Sequence, residues 1–246
     1  LYQRNLINYA QNKKLNLNFT WIYAGDKNKK YILEGIQCLE IKSNKLPFFR
    51  EFDFARKVRK IINKEKFDVL NTHANWGYFL NKYVKKKGQR IIHTYHGVTL
   101  PYLKIQLNKF CFLKKILLSP SLIFAYLLEK PPIKKADEII CVSEKVKEDL
   151  LKNYNSNKNM NIIRTGVDTK QFEKASREKS RKDLQLERHK TYGLYSGRGG
   201  YWNKGLDRAI SLGKEIYKKD GNFRLIVIGS DKEKCKEFLD EKFIVY

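Results

Sequence analysis

The stretch Tyr192–Lys204, YGLYSGRGGYWNK, carries the residue types best suited to holding an anion. Tyr192, Leu194 and Tyr195 have strand character, while Gly197, Gly199 and Gly200 permit positive φ and a close approach of bare N–H groups to a ligand. Asn203 is a good N-cap, so a helix behind it would turn its positive end to the same place. Arg198 is a planar fork and Lys204 a compact point charge, a pair that suits the two ends of a diphosphate. Two other phosphate-binding patterns do not fit, because Trp202 stands where the dinucleotide fingerprint has its third glycine and there is no GxxxxGK[ST]. The residues alone leave open an ordinary strand-to-helix turn with two solvated cations.

The elements that must position this turn alternate along the chain. Leu1–Lys14 has the spacing of an amphipathic helix, and Phe19–Ala24 and Ile36–Ile41 read as strands. Phe52–Ile62 puts Phe54, Ala55, Val58, Ile61 and Ile62 on one helical stripe, and DVLNT at Asp68–Thr72 reads as a buried strand. Trp76–Lys87 is helical up to Gly88, and RIIHTY at Arg90–Tyr95 is the next strand. From Pro101 to Lys130 the pattern is helical and unusually apolar, two helices that Pro131-Pro132 should end. They either pack on the sheet or offer a basic, apolar face to a membrane. EIICV at Glu138–Val142 is a continuous apolar strand, Ser143 caps a helix with Val146, Leu150 and Tyr154 on one face, and Asn161–Arg164 is a further strand. Beyond the charged stretch Thr169–His189 come the strand Tyr192–Ser196, a helix from Lys204, the strand Phe223–Ile228, a charged helix and a strand-like Phe243–Val245. This rhythm predicts an α/β fold with parallel sheets. The charged stretch marks a boundary between domains at 1–168 and 169–246, the second with too few strands to cover a sheet on both faces.

Composition narrows the classes. At 246 residues and 42% hydrophobic content the chain has room for one to two domains with real cores. Its net charge of +25 is spread through every segment among many asparagines, isoleucines and tyrosines, which argues against nucleic acid and favours an anionic membrane surface or acidic acceptor. Cys38, Cys111, Cys141 and Cys235 form no CxxC pair, so neither zinc nor a thioredoxin-like motif is indicated and a reducing compartment is expected. The apolar run Ile116–Leu128 is broken by Pro120 and too short to span a bilayer.

Three stretches together resemble the family 4 glycosyltransferases of the GT-B fold, which have two Rossmann-like domains. FDVLNTH followed by RIIHTYHG is similar to the family's paired strands with histidine-rich tips on the acceptor side. ADEIICVSEKVKEDLLKNY followed by IIRTGVDTKQF resembles its serine-capped helix and N-G-V-D-x-x-x-F hinge. YSGRGGYWNKGLDRAI with FRLIVIG is similar to its donor-side G-R-x-x-x-x-K-G strand, loop and helix. Order and spacing agree across most of residues 60–230.

The resemblance implies a retaining transfer of a sugar from a nucleotide diphosphate sugar to an acceptor, a glycan or lipid-linked one, with no cofactor. Arg198 and Lys204, with Gly199, would hold the donor diphosphate and stabilise charge on the leaving group, leaving no need for a metal. His96, at the tip of its strand and followed by Gly97, would face the reacting sugar; a polar strand end is the plainer alternative. His73 is a second candidate on the neighbouring tip, and His93, three residues before His96, should face the other side of its strand, which weakens any metal reading of HTYH. The expected location is cytoplasmic, peripheral at the inner face of the cell membrane. Thr165 and Asn71 depart from the family's asparagine and histidine. Its first strand should precede Leu1 and its downstream E-x7-E element should follow Tyr246, so these 246 residues alone are expected to turn over little. Two competing readings are an inactive fragment and a basic module whose binding to any polyanion would be steeply salt-dependent.

Overall fold

The computed structural model describes residues 2–46, 49–83, 88–108, 110–156, 158–169, 172–199, 204–230 and 242–245; at 2–4, 81–83, 198–199 and 230 it describes the backbone alone. Two compact units divide the chain, Leu1–Asp168 and Thr169–Tyr246.

The first unit opens with α1 (Tyr2–Asn12), β1 (Thr20–Gly25), β2 (Lys29–Leu33) and β3 (Ile36–Lys42). These strands form a small sheet in the order β1-β3-β2, with β1 parallel to β3 and β2 antiparallel to it. β2 is not among the expected strands, because four of the five residues in KKYIL are exposed and no buried stripe announces it. Glu34 and Gly35, both at positive φ, turn the chain back into β3.

There follow α2 (Phe49–Lys64), β4 (Val69–His73), α3 (Ala74–Tyr83), β5 (Arg90–Tyr95), α4 (Thr99–Leu107), α5 (Phe112–Leu118), α6 (Pro120–Lys135), β6 (Glu138–Cys141), α7 (Glu144–Tyr154) and β7 (Met160–Ile162). The strands pair in parallel in chain order, β4-β5-β6-β7. Ile91 and Ile139 are almost fully buried at the sheet's centre, with Val58 and Ile62 of α2 and Leu150 of α7 in the same core. The stripes read from the sequence therefore do face inward. Ser143 caps α7 by accepting from the Val146 N–H at 3.3 Å.

The region from 99 to 135 differs from expectation. It holds three helices rather than two, and Pro131 and Pro132 lie inside α6 instead of ending it. A proline's φ is already helical and its cost is the missing N–H and the crowding of the preceding turn. Burial of Pro132 and Ile133 and of Glu129 one turn earlier outweighs that cost.

Among the described residues the second unit contains α8 (Arg177–Asp183), β8 (Thr191–Gly199), α9 (Leu206–Lys219), β9 (Phe223–Ser230) and β10 (Ile244–Val245), its strands parallel in the order β10-β9-β8. Leu206 and Ile210 of α9 pack on Phe223, Leu225 and Phe243. Gly213 lets the helix sit close, since a Cβ there would lie 2.9 Å from the Phe243 ring. The charged helix expected after Ser230 falls at 231–241, outside the described residues. Both units are thus α/β, each with a parallel sheet.

Glu129 of α6 is a highly connected polar group of the first unit, fully buried. Its Oε1 accepts from the Tyr78 hydroxyl at 3.0 Å and the Thr99 N–H at 2.6 Å; its Oε2 accepts from the Leu100 N–H at 3.2 Å and from the Tyr154 hydroxyl. Tyr95 at the end of β5 donates to the Glu129 carbonyl at 2.7 Å. One side chain therefore joins α3, α4, α6 and α7 and provides the acceptors that the first turn of α4 lacks, since Val98 at its N-cap has no side-chain oxygen. Replacing Glu129 by Leu would strand two tyrosine hydroxyls and two N–H groups at roughly 1–3 kcal/mol each. Chemical denaturation of Glu129→Leu is expected to show a loss of at least about 3 kcal/mol, against less than about 0.5 kcal/mol for Leu113→Ala, whose side chain is 78% exposed.

Candidate functional site

In a parallel sheet the strands' C-terminal ends gather at one edge, where ligands meet open α/β folds. β4 ends there in His73 and β5 in Tyr95, immediately before His96 and Gly97. The register sets Thr72 beside His93 and His73 beside Thr94, so two imidazoles meet just beyond the strand ends. His73 Nδ1 and His96 Nε2 lie 3.1 Å apart, one donating to the other, with the rings stacked at a centroid distance of 5.4 Å and an angle of 27°. The two histidines singled out in the sequence are one hydrogen-bonded pair.

Their surroundings keep them uncharged. Burial, reinforced by the positive charge His96 would carry, pushes His73 down to about 4. His96 is exposed on its outer side yet enclosed enough on the other that burial lowers it too. His93 is fully buried, as an inward-facing strand residue should be; its Nδ1 is 2.8 Å from the Thr72 hydroxyl, its ring meets Tyr95 edge-on at 4.5 Å, and burial pushes it down to about 3. His93 and His96 engage different residues of β4, Thr72 and His73. Gly77 of α3 lies directly over the first of these pairs, where a Cβ would come 2.8 Å from both His93 Cε1 and Thr72 Cβ.

Polar groups that the sequence reading passed over complete this edge. Glu51, buried in the first turn of α2, accepts from Asn75 Nδ2 at 3.1 Å, two residues past His73. Arg50 reaches the same Glu51 oxygen at 3.5 Å and lies over the Trp76 ring at 4.7 Å. In FREFDF a carboxylate so near a helix start reads as a charge on the helix end, which hides its tertiary role. The same end opens into an apolar cavity of about 400 Å³ flanked by the edge strands β1 and β4, which reaches Asn71 and His73. The Glu129 cluster fixes the other side, because Tyr95 precedes His96 and Thr99 follows it.

In the second unit β8 runs on through the glycines to Gly199, with an irregularity in pairing between Ser196 and Gly199, so the turn expected at Gly197 lies farther along. Gly197 is needed for close approach rather than for φ, since a Cβ there would lie 2.5 Å from the Tyr195 hydroxyl and 3.2 Å from Lys204 Cβ. Lys204 is exposed and sits one residue before Gly205, whose φ of +74° marks the N-cap of α9. The expected cap Asn203 lies outside the described residues, and α9 begins at Leu206 rather than Lys204. Arg198 and Gly199 belong to β8 by their backbone; the Arg198 side chain lies outside the described residues.

The sequence model of Glycosyltransferase Family 4 matches residues 19–171. No curated protein sequence matches the chain. Among solved structures, Anabaena HepE in complex with UDP and glucose is similar over 85% of this chain and 55% of its own, at 9% identity and a TM-score of 0.59. The S. aureus MnaA–UDP structure is similar over 83% of this chain and 53% of its own, at 11% identity and a TM-score of 0.53. A UDP-N-acetylglucosamine 2-epimerase structure from Listeria monocytogenes, so assigned provisionally, is similar over 83% and 52%, at 12% identity and a TM-score of 0.51. At such identities the likeness is one of fold, and this chain spans about half the length of each of these structures.

The buried histidines give a pH signature. Unfolded histidines titrate near roughly 6.5, whereas His73 and His93 titrate at about 4 and about 3 in the folded chain. Below about 6.5 the unfolded chain takes up protons that the folded chain refuses, so the stability they confer is complete above that pH and is lost as pH falls toward about 4 and 3. Thermal melts are expected to fall across that window, less steeply in His73→Asn. Gly77→Ala is expected to lower the melting temperature despite a gain of roughly 1 kcal/mol in helix propensity, because the methyl group meets His93 and Thr72.

Proposed function

Matched over residues 19–171 of 246, the chain belongs to glycosyltransferase family 4, and on that premise we propose that it moves a hexosyl group from a nucleotide diphosphate sugar to an acceptor hydroxyl with retained anomeric configuration. UDP is taken as the nucleotide because it is bound in two structures of similar fold, HepE and MnaA. The acceptor is a glycan or a lipid-linked sugar, handled on the cytoplasmic side.

The observation that carries the reading is the paired His73 and His96 at the tips of adjacent parallel strands, both held uncharged. As the bond from the anomeric carbon to the phosphate oxygen breaks, the sugar gains positive character and the diphosphate negative charge. A neutral imidazole at His96 hydrogen-bonds sugar hydroxyls without repelling that positive charge, and its bond to His73 holds the ring in place. The opposite charge falls to Arg198 and Lys204, which grip the diphosphate and stabilise the departing nucleotide, while Gly199 lets the backbone approach it. Those cations do the neutralising that a metal ion does elsewhere. The proton of the attacking hydroxyl leaves with the diphosphate.

Isothermal titration of the whole protein with UDP tests this assignment. Arg198→Ala and Lys204→Ala each remove a charge-assisted contact worth roughly 1.5–3 kcal/mol, a weakening of about tenfold to 150-fold, with the circular dichroism spectrum unchanged. His96→Ala is expected to lower transfer while leaving UDP affinity within about twofold. UDP affinity unchanged in both cation variants, or an unrelated polyphosphate bound as tightly as UDP, would overturn it.

A further inference from the structure

The face built by α5 and the outer side of α6 has no counterpart in the transfer chemistry. No residue of α5 is buried: Phe112, Leu113 and Leu117 are 75–78% exposed, and Ile123 and Leu127 of α6 are 66% and 59% exposed. α6 is apolar around most of its circumference, so packing Ala125, Glu129 and Ile133 inward leaves a second apolar side uncovered. A helix of that kind is covered by protein or by lipid.

Charge decides between the candidates. Residues 101–135 contain seven lysines and a single acidic residue, Glu129, which is fully buried. The exposed surface of this segment is therefore apolar and purely cationic. Lys114 leans over the Phe110 ring at 4.5 Å, and Lys130 over Tyr126 at 4.7 Å, so the cations sit among the apolar side chains rather than apart from them. A second copy of this face would set lysine against lysine, and nucleic acid would leave the apolar side chains in water. An anionic bilayer satisfies both, with hydrocarbon below the headgroups for the leucines and phenylalanines and phosphates for the lysines. Among the described residues no helix is long and apolar enough to cross a membrane, so the contact is one of lying on the surface.

We propose that the α5–α6 face docks the protein on an anionic lipid bilayer, inserting Phe112, Leu113 and Leu117 at the interface with Lys114 and Lys115 at headgroup level. This does not depend on the transferase reading, since it uses none of those residues. Co-sedimentation of the 246-residue protein with vesicles of phosphatidylcholine containing about 30% phosphatidylglycerol tests it. Binding is expected to be strong at about 0.1 M salt, to weaken several-fold at about 0.5 M, and to be absent on pure phosphatidylcholine. Lys114→Gln/Lys115→Gln should weaken it about 25-fold, from roughly fivefold per lysine, and Leu113→Glu/Leu117→Glu should abolish it. Because α5 buries nothing, both variants are expected to melt like the parent protein. Binding unaffected by the leucine changes would place the contact elsewhere, equal binding to pure phosphatidylcholine would remove the anionic partner, and a dimer lost in the leucine variant without vesicle binding would make the face a self-association surface. Each of these overturns the proposal, and each is distinguishable from a failure to bind UDP.

Discussion

A carboxyl group sealed among four donors is the constraint on which the first unit is built. Glu129 leaves water completely, a step that costs several kcal/mol unless its oxygens are satisfied. Satisfaction comes from two tyrosine hydroxyls on different helices and from two N–H groups at the start of α4. Burial together with the nearby Glu129 charge raises the hydroxyl pKa values of Tyr78 and Tyr154, so both stay protonated and remain donors. The cluster cannot loosen in part without exposing an unsatisfied group, and so it holds α3, α4, α6 and α7 in one arrangement.

The consequence for function lies three residues from the nearest of the carboxylate's own contacts, Thr99. The short loop from Tyr95 to Thr99 is gripped at both ends by Glu129, through its carbonyl and through its carboxyl group. His96 lies within that loop, directly after Tyr95, and meets His73 on the neighbouring strand. The pair therefore needs no large rearrangement to be formed. Its neutrality follows from enclosure: desolvation penalises the imidazolium, and a proton on one ring would penalise a proton on the other. At this strand edge the geometry presents an uncharged, hydrogen-bonded imidazole pair.

Much of the scaffold was legible because periodicity records burial. Arg90–Tyr95 was readable as a strand to the residue, since RIIHTY is buried along nearly its whole length, and Ser143 was readable as a cap because its role is local. β2 escaped because its side chains are exposed and its pairing with β3 depends on a hairpin, not on a buried stripe. Pro131 and Pro132 misled because the rule for proline concerns an isolated helix, whereas α6 is anchored by tertiary burial on both sides of them. His73 and His96 could be named from their strand ends, but their hydrogen bond is a matter of register between strands. The tertiary roles of Glu51 and Glu129 were not readable: Glu51 reads as a charge on its helix end until Asn75 meets it, and Glu129, a lone carboxylate in an apolar helix, shows its partners only once distant tyrosines and N–H groups converge on it. The tightness around Gly197, where a Cβ would meet Tyr195 and Lys204, could not be read from the sequence because it is three-dimensional.

Titration of the histidine side chains by nitrogen-15 NMR bears most directly on the claim that this fold presents a preformed, uncharged imidazole pair. In the native protein His73 should titrate near about 4 and His96 below its ordinary value, with both rings neutral at pH 7 and a shared hydrogen bond visible in the tautomer pattern of one ring. Two independent titrations close to roughly 6.5, with no tautomeric preference in either ring, would contradict the account.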